Sequence, residues 1–376
     1  MTSECLKLTS YFGERHRHGD KDGGRFAADA LLELYGRHEI AASILLRGTE
    51  GFGLKHRLRT DVSLTLSEDL PLIAIAVDRR PRIEAVLPEV LQLTDSGLLT
   101  LERARLISGE AGPVPLPGDL GPADLPEATK LTIYLGRQER VYRVPAFVAV
   151  CDLLYRRGVD GATGLLGVDG TAHGERERAR FFSRNADVPM MVTAVGSGAR
   201  IGAVLPELGA LLQRPLLTLE RVRICKRDGQ LLDRPDVLPG VDEHGLALWG
   251  KLMVYTSEAA RHDGQPIHRA IVRRLRRAGL SGATTQRGIW GFHGDHAPHG
   301  DRLLQLGRHV PAVTIVIDSP ERIAAAFDVI DELTREHGLV TSETIPALHA
   351  ASGGRRRGGL RLAGHHLGGR GAGGGA

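Results

Sequence analysis

The sequence predicts an α+β fold made three times over, as tandem modules of order βαββαβ followed by a Gly/Arg-rich tail. Three observations carry this reading. The segment LLTLERARLI, Leu98 to Ile107, returns as LLTLERVRIC, Leu216 to Cys225, with seven of ten positions identical, and more faintly as LVTSETIPAL, Leu339 to Leu348. The copies also start alike: LKLTSYFGE at Leu6, TKLTIYLGR at Thr129 and GKLMVYTSE at Gly250 each place Lys7, Lys130 or Lys251 ahead of alternating apolar residues. Finally, internal distances hold where residues differ, since Gly48 to Pro71, Gly167 to Pro189 and Gly288 to Pro311 span 23, 22 and 23 positions. A fixed period of this kind is the signature of repeated structural units.

Within the first copy each element follows from its pattern. LKLTSYF alternates apolar and polar residues before Gly13 and reads as a strand. Phe26, Ala30, Leu31, Leu34 and Tyr35 recur at three- and four-residue steps, one apolar stripe of a helix. Ala41 to Arg47 and Leu70 to Asp78 are apolar runs of buried-strand length. Pro81 suits the first turn of a second helix with the stripe Ile83, Val86, Leu87, Val90 and Leu91. LLTLERARLI closes the module as its fourth strand. This order is the ferredoxin-like split arrangement, an antiparallel sheet with both helices on one face. The other face then needs a cover, and sister modules are the expected one.

The expected boundaries are modules at 5–108, 129–225 and 250–348, linkers at 109–128 and 226–249, and a disordered tail at 349–376. The linkers are rich in Pro, Gly and Asp. Five of the 49 basic residues lie after Leu348 with no acidic residue, which leaves a near-neutral body of 44 basic against 45 acidic side chains. The basic character therefore belongs to the tail, whose composition buries too little apolar surface to order a chain. Nucleic acid is excluded as a partner except through that tail. Cys5, Cys151 and Cys225 lack CxxC spacing and read as buried hydrophobes. No leader-like or membrane-length apolar segment is present in the sequence, so a cytoplasmic location is expected.

At RGTEGFGLKH, Arg47 to His56, the sequence resembles the start of the long loop of PII signal-transduction proteins. With DLP at Asp69 to Pro71, RIEAVLPE at Arg82 to Glu89 and GLLTLERARLI it resembles the PII-like family called domain of unknown function 190. That resemblance implies modules joined as an intramolecular pseudo-trimer, with ligand clefts between neighbouring modules under long loops. It also implies a signalling protein, monomeric as a chain, that binds a small anionic effector such as an adenine nucleotide or another phosphorylated compound. It would signal to a regulated partner protein, of which a membrane transporter is one class.

Phosphate recognition calls for backbone amides at a Gly turn and basic side chains. The candidate ligand-binding residues are Arg47, Gly51, Phe52, Gly53, Lys55, Arg57, Arg103 and Arg105, with Gly291 and Phe292 in the third copy. The second copy reads GVDGTAHGE and has no aromatic residue there. His16 and His18, and His293, Asp295, His296 and His299, lie in Gly- and Pro-containing loops without fixed spacing and are read as solvated rather than metal-binding. No GxSxG, Walker or HExxH motif occurs, so no enzyme and no bound cofactor is expected. Two rival readings are a ligand-independent scaffold and an RNA-binding module. The RNA reading lacks the aromatic residues that such a sheet presents at its centre, where Ala74, Ile75 and Leu101 stand.

Overall fold

The computed structural model describes residues 2–19, 24–61, 69–108, 127–172, 175–178, 188–293, 298–300, 310–352 and 355–362. Among them are six helices and one large sheet whose strand pairings are all antiparallel. The first module contains β1 (Thr2–Gly13), α1 (Ala27–Arg37), β2 (Ala42–Phe52), β3 (Pro71–Arg79), α2 (Arg80–Leu93) and β4 (Gly97–Ser108). β1 lies between β3 and β4, and β2 pairs with the far side of β3, so the strands stand in the order β4-β1-β3-β2. Every residue of β3 from Pro71 to Asp78 is buried, which is why its sequence is a continuous apolar run. Leu31, Leu34 and Tyr35 of α1 and Ile83, Val86 and Val90 of α2 pack on one sheet face with Leu8, Ala74 and Leu101.

The second module repeats this with β5 (Ala128–Gly136), α3 (Ala146–Arg156), β6 (Gly161–Leu166), β7 (Asp169–Ala172), β8 (Pro189–Ser197), α4 (Gly198–Leu211) and β9 (Leu216–Arg227). The third has β10 (Trp249–Ser257), α5 (Ile267–Arg277), β11 (Ala283–Arg287), β12 (Trp290–His293), β13 (Pro311–Asp318), α6 (Pro320–Leu333) and β14 (Leu339–Ile345). After it come β15 (Ala347–Ser352) and β16 (Arg355–Gly359). The pairing orders β9-β5-β8-β6 and β14-β10-β13-β11 match the first.

Two sets of pairings join the modules cyclically. The end of β4 pairs with the start of β9, the end of β9 with the start of β14, and β15 with the start of β4. Around the other side, the far half of β2 pairs with β11, β12 with β6, and β7 with the near half of β2. The sheet faces turned away from the helices share one core, in which Ile75, Leu106, Tyr134, Met191, Met253 and Ile315 come from all three modules.

Six charges sit buried within this junction. Lys7 pairs with Glu102 at 3.1 Å and with Glu220, and Lys130 with Glu220 at 3.4 Å and Glu343 at 2.5 Å. Lys251 closes the circuit to Glu343 at 2.6 Å and to Glu102. Each module supplies a Lys from its first strand and a Glu from its last, so opposite charges alternate around a closed ring. Burial opposes ionisation of Glu102, yet the ammonium groups of Lys251 and Lys7 outweigh it and hold the carboxyl below the usual range. The three carboxylates approach within 4.8 Å of one another, and the lysines stand where a cation would otherwise neutralise them.

Two expectations need correction. The tail is not wholly disordered from residue 349, because β16 folds back on β15 and β15 extends the sheet beside β4. Composition misses this because the hairpin is held by partners distant in sequence. The guanidinium of Arg357 lies 4.5 Å from the Trp249 ring centroid and 3.6 Å from the Asp318 carboxylate. Residues 363–376 lie outside the described residues. The expected linker at 226–249 also begins inside β9, where buried Lys226 meets Asp331 at 2.6 Å and the carbonyl of Thr334 at 3.0 Å.

Candidate functional site between the first and third modules

A cavity of about 460 Å³ opens where the end of β2 meets the third module, within the range of small-molecule sites. Its apolar wall includes Tyr11, Phe52, Leu98, Trp249, Ile315 and Leu348. Its polar rim carries Arg15, Arg17, Lys55, Arg57 and Arg59 against Asp69 and Asp318, while Arg357 lies over the Trp249 ring at its edge. Basic groups thus outnumber acidic ones around a partly apolar space, an arrangement that favours an anion with an apolar part.

The geometry explains how these groups are placed. Asp69 ends the long loop and accepts the Arg15 amide at 2.7 Å while pairing with Arg59 at 2.7 Å. Arg17 lies 4.0 Å from the Phe26 ring centroid and donates to the Gly24 carbonyl at 2.7 Å. Lys55 and Arg57 are exposed and follow a tight turn in which the His56 amide donates to the Gly53 carbonyl at 2.7 Å. His56 has φ 50, and its ring stacks on Phe52 at 5.9 Å.

Of the ten candidate residues, Gly51, Phe52, Gly53, Lys55 and Arg57 line this cavity together. Gly51 has a steric reason of its own: a Cβ there would stand 2.7 Å from the Ala283 carbonyl, because β2 runs hard against β11. Phe52 is buried in the core of the third module, in one cluster with Ile271 and Leu280. Arg47 does not line the cavity and instead pairs with Glu14 at 2.8 Å. Arg103 and Arg105 are exposed on β4 and also lie outside it. Their strand turns Thr100, Glu102 and Ala104 inward, so the alternate positions face away.

Gly291 and Phe292 occupy the corresponding junction between the third and second modules. Phe292 is buried in the second module's core and meets Tyr155 edge-on at 5.3 Å. Gly291, at φ 155, passes so close to β6 that an added Cβ would be 2.2 Å from the Ala162 carbonyl. His293 stands where the first copy has Gly53, is buried, and lies 3.8 Å from Asp228. His16 approaches Asp95 at 3.1 Å, while Asp295 and His296 fall outside the described residues.

A second polar group lies behind the loop at the same junction. Glu50 is buried, with the Arg269 Nε 3.7 Å away, and Asp61 bridges Arg269 at 3.4 Å and Arg287 at 3.5 Å. Burial pushes the Glu50 carboxyl up to about 7, although Arg269 pulls the other way. Burial and the neighbouring Arg269 and Arg287 push His268 down to about 4. Sequence reading missed Glu50, Trp249 and Arg357. Glu50 falls in the run GTEG, which has the pattern of a turn rather than of a buried strand, whereas Trp249 and Arg357 are separated from the first loop by some two hundred residues or more and no local pattern couples them.

The family model for domain of unknown function 190, described as an uncharacterized ACR, matches three times, over residues 5–106, 128–224 and 249–347. A UPF0166 protein of Aquifex aeolicus (strain VF5) is 30% identical over 99 residues, which are 26% of this chain and 91% of the relative. A UPF0166 protein of Methanocaldococcus jannaschii is 27% identical over 89 residues, 24% of this chain and 82% of the relative. A stretch the length of one module accounts for most of each relative, and the three family matches cover most of this chain. The chain therefore belongs to the domain of unknown function 190 family and carries three copies of its domain in tandem.

Proposed function

We propose that this chain is a PII-like signalling protein whose ferredoxin-like modules form an intramolecular pseudo-trimer and bind a small anionic effector between modules. The observation that carries this reading is the cavity between the end of β2 and the third module, with its apolar wall and excess of basic groups. The βαββαβ order and the cyclic pairings support the pseudo-trimer. A phosphorylated effector, of which an adenine nucleotide is the leading class, suits the size and the charge. Occupation of the cleft would reorder the loop after Phe52 and present it to a regulated partner protein.

The clefts are unequal in this reading. The first has Lys55 and Arg57 beside an open turn, whereas in the third copy His293 fills the position of Gly53 and faces Asp228. Calorimetry with ATP is expected to find fewer than three sites per chain. Lys55→Ala combined with Arg57→Ala is expected to weaken the tightest site at least tenfold while leaving the far-ultraviolet circular dichroism unchanged. Three equal sites, or a tight site that survives this change, would reject the assignment. No thermal stabilisation by ATP or by triphosphate at millimolar concentration would reject effector binding itself, because a ligand selective for the native state must raise its apparent stability.

A further inference from the structure

We propose that the C-terminal hairpin gates the first cleft: Arg357 covers the face of Trp249 on which the planar ring of a phosphorylated ligand stacks, and that ligand enters by displacing it. The inference rests on the reading of the cleft as an anion site and adds the ligand's ring and the gate.

Trp249 begins β10, two residues before Lys251, where the other copies have Cys5 and Ala128. Only this junction therefore receives an indole at that position. The indole lines the cavity and is 6% exposed, packed in the shared core with the hairpin against its ring. The Arg357 guanidinium sits 4.5 Å from the ring centroid, a cation–π arrangement. Gly358, at φ 71, lets the backbone close in, since an added Cβ would stand 3.2 Å from the Trp249 ring and 2.1 Å from the Leu348 carbonyl. An indole face that accepts a guanidinium is equally suited to a flat heteroaromatic ring.

The cover is lightly fastened along β16 itself, all five of whose residues are exposed, and its far end is held by Leu360 and Leu362, which pack on the first module's core. Its second tie, Arg357 to Asp318 at 3.6 Å, is replaceable, because Asp318 already accepts the amides of Ser281 at 2.8 Å and Ser319 at 2.9 Å. β15 differs: Ala347, Leu348, Ala350 and Ala351 are buried, and it pairs with β4. Segments with few buried contacts open first, so β16 can leave while β15 stays.

The test titrates the full chain and its Arg357→Ala variant with ATP, which has ring and phosphates, and with inorganic triphosphate, which has phosphates alone. Heat and indole emission are followed, with Trp249→Phe identifying the signal from that ring against Trp290. ATP is expected to change the Trp249 emission, and triphosphate to bind without changing it. Arg357→Ala is expected to bind ATP about tenfold more tightly, the scale of one displaced cation–π contact, and triphosphate within about threefold of the original. A chain ending at Ser352 should behave as the variant does. Weaker binding of both probes by Arg357→Ala would make Arg357 an anion-holding group and overturn the gate. So would an unchanged ATP affinity, and an emission indifferent to ATP would remove the stacked ring. Binding of neither probe by any form would be a different result, overturning the cleft reading beneath.

Discussion

At the scale of the residue, Glu50 and His268 place two titrations with opposite signs at one junction. A carboxyl whose value rises from 4.5 to about 7 on folding holds its proton more tightly in the native chain. Its contribution to stability is full below the lower value and is lost as pH rises through the upper one. His268, lowered from 6.5 to about 4, contributes stability that is present above 6.5 and lost as pH falls through about 4. Glu50→Gln removes the first effect alone. It is expected to stabilise the chain at pH 8 by up to about 3 kcal/mol and to leave it within about 1 kcal/mol of the original at pH 5. Urea unfolding at the two values checks this, and equal gains at both would place the cost in packing rather than in ionisation.

At the scale of the element, β2 serves all three modules at once. Its near half pairs with β3 of its own module and with β7 of the second, and its far half pairs with β11 and delivers Phe52 into the core of the third. Phe52→Ala would leave a cavity in the third module although the residue belongs to the first. The expected loss is about 3–5 kcal/mol, read by chemical denaturation, with hydrogen exchange accelerated in α5 and β11. A loss confined to the first module would show that the aromatic anchors only its own loop. The sequence reading ended this strand at Arg47, five residues before Phe52. The run GTEG looks like a turn, but Gly48 and Gly51 are there because Pro71, Thr284 and the Ala283 carbonyl leave no room for a side chain.

At the scale of the whole molecule, the ring of Lys7, Lys130, Lys251, Glu102, Glu220 and Glu343 ties every module to both neighbours. Charges taken out of water gain little net stability, but removing one partner strands the others. Lys7→Met is expected to cost about 3–5 kcal/mol and to lower the unfolding midpoint of all three modules together. A loss under 1 kcal/mol would mean that the ring relaxes without it. The cyclic pairings use the inter-module strand edges within one chain, so the protein is expected to run as a single chain of 40.6 kDa in light scattering. A threefold mass would show the modules pairing between chains instead.

The repeat, the module order and the apolar faces were legible in the sequence because they are local: helix and strand periodicities depend on neighbours a few residues away. The repeat even displays the charge ring, since Lys recurs at each start and Glu in each closing strand, but nothing local marks Glu102 as buried rather than its exposed neighbours Arg103 and Arg105. Gly51, Phe52, Gly53, Lys55 and Arg57 share a cavity, whereas Arg47, Arg103 and Arg105, basic residues of the same quoted motifs, lie outside it. What only the tertiary structure decided is the junction: Trp249 beside Arg357, Glu50 beside Arg269, and a Gly/Arg tail with an ordered first strand. Those contacts join residues up to about two hundred positions apart, and their energy comes from the closing of the ring, which no stretch of sequence contains by itself.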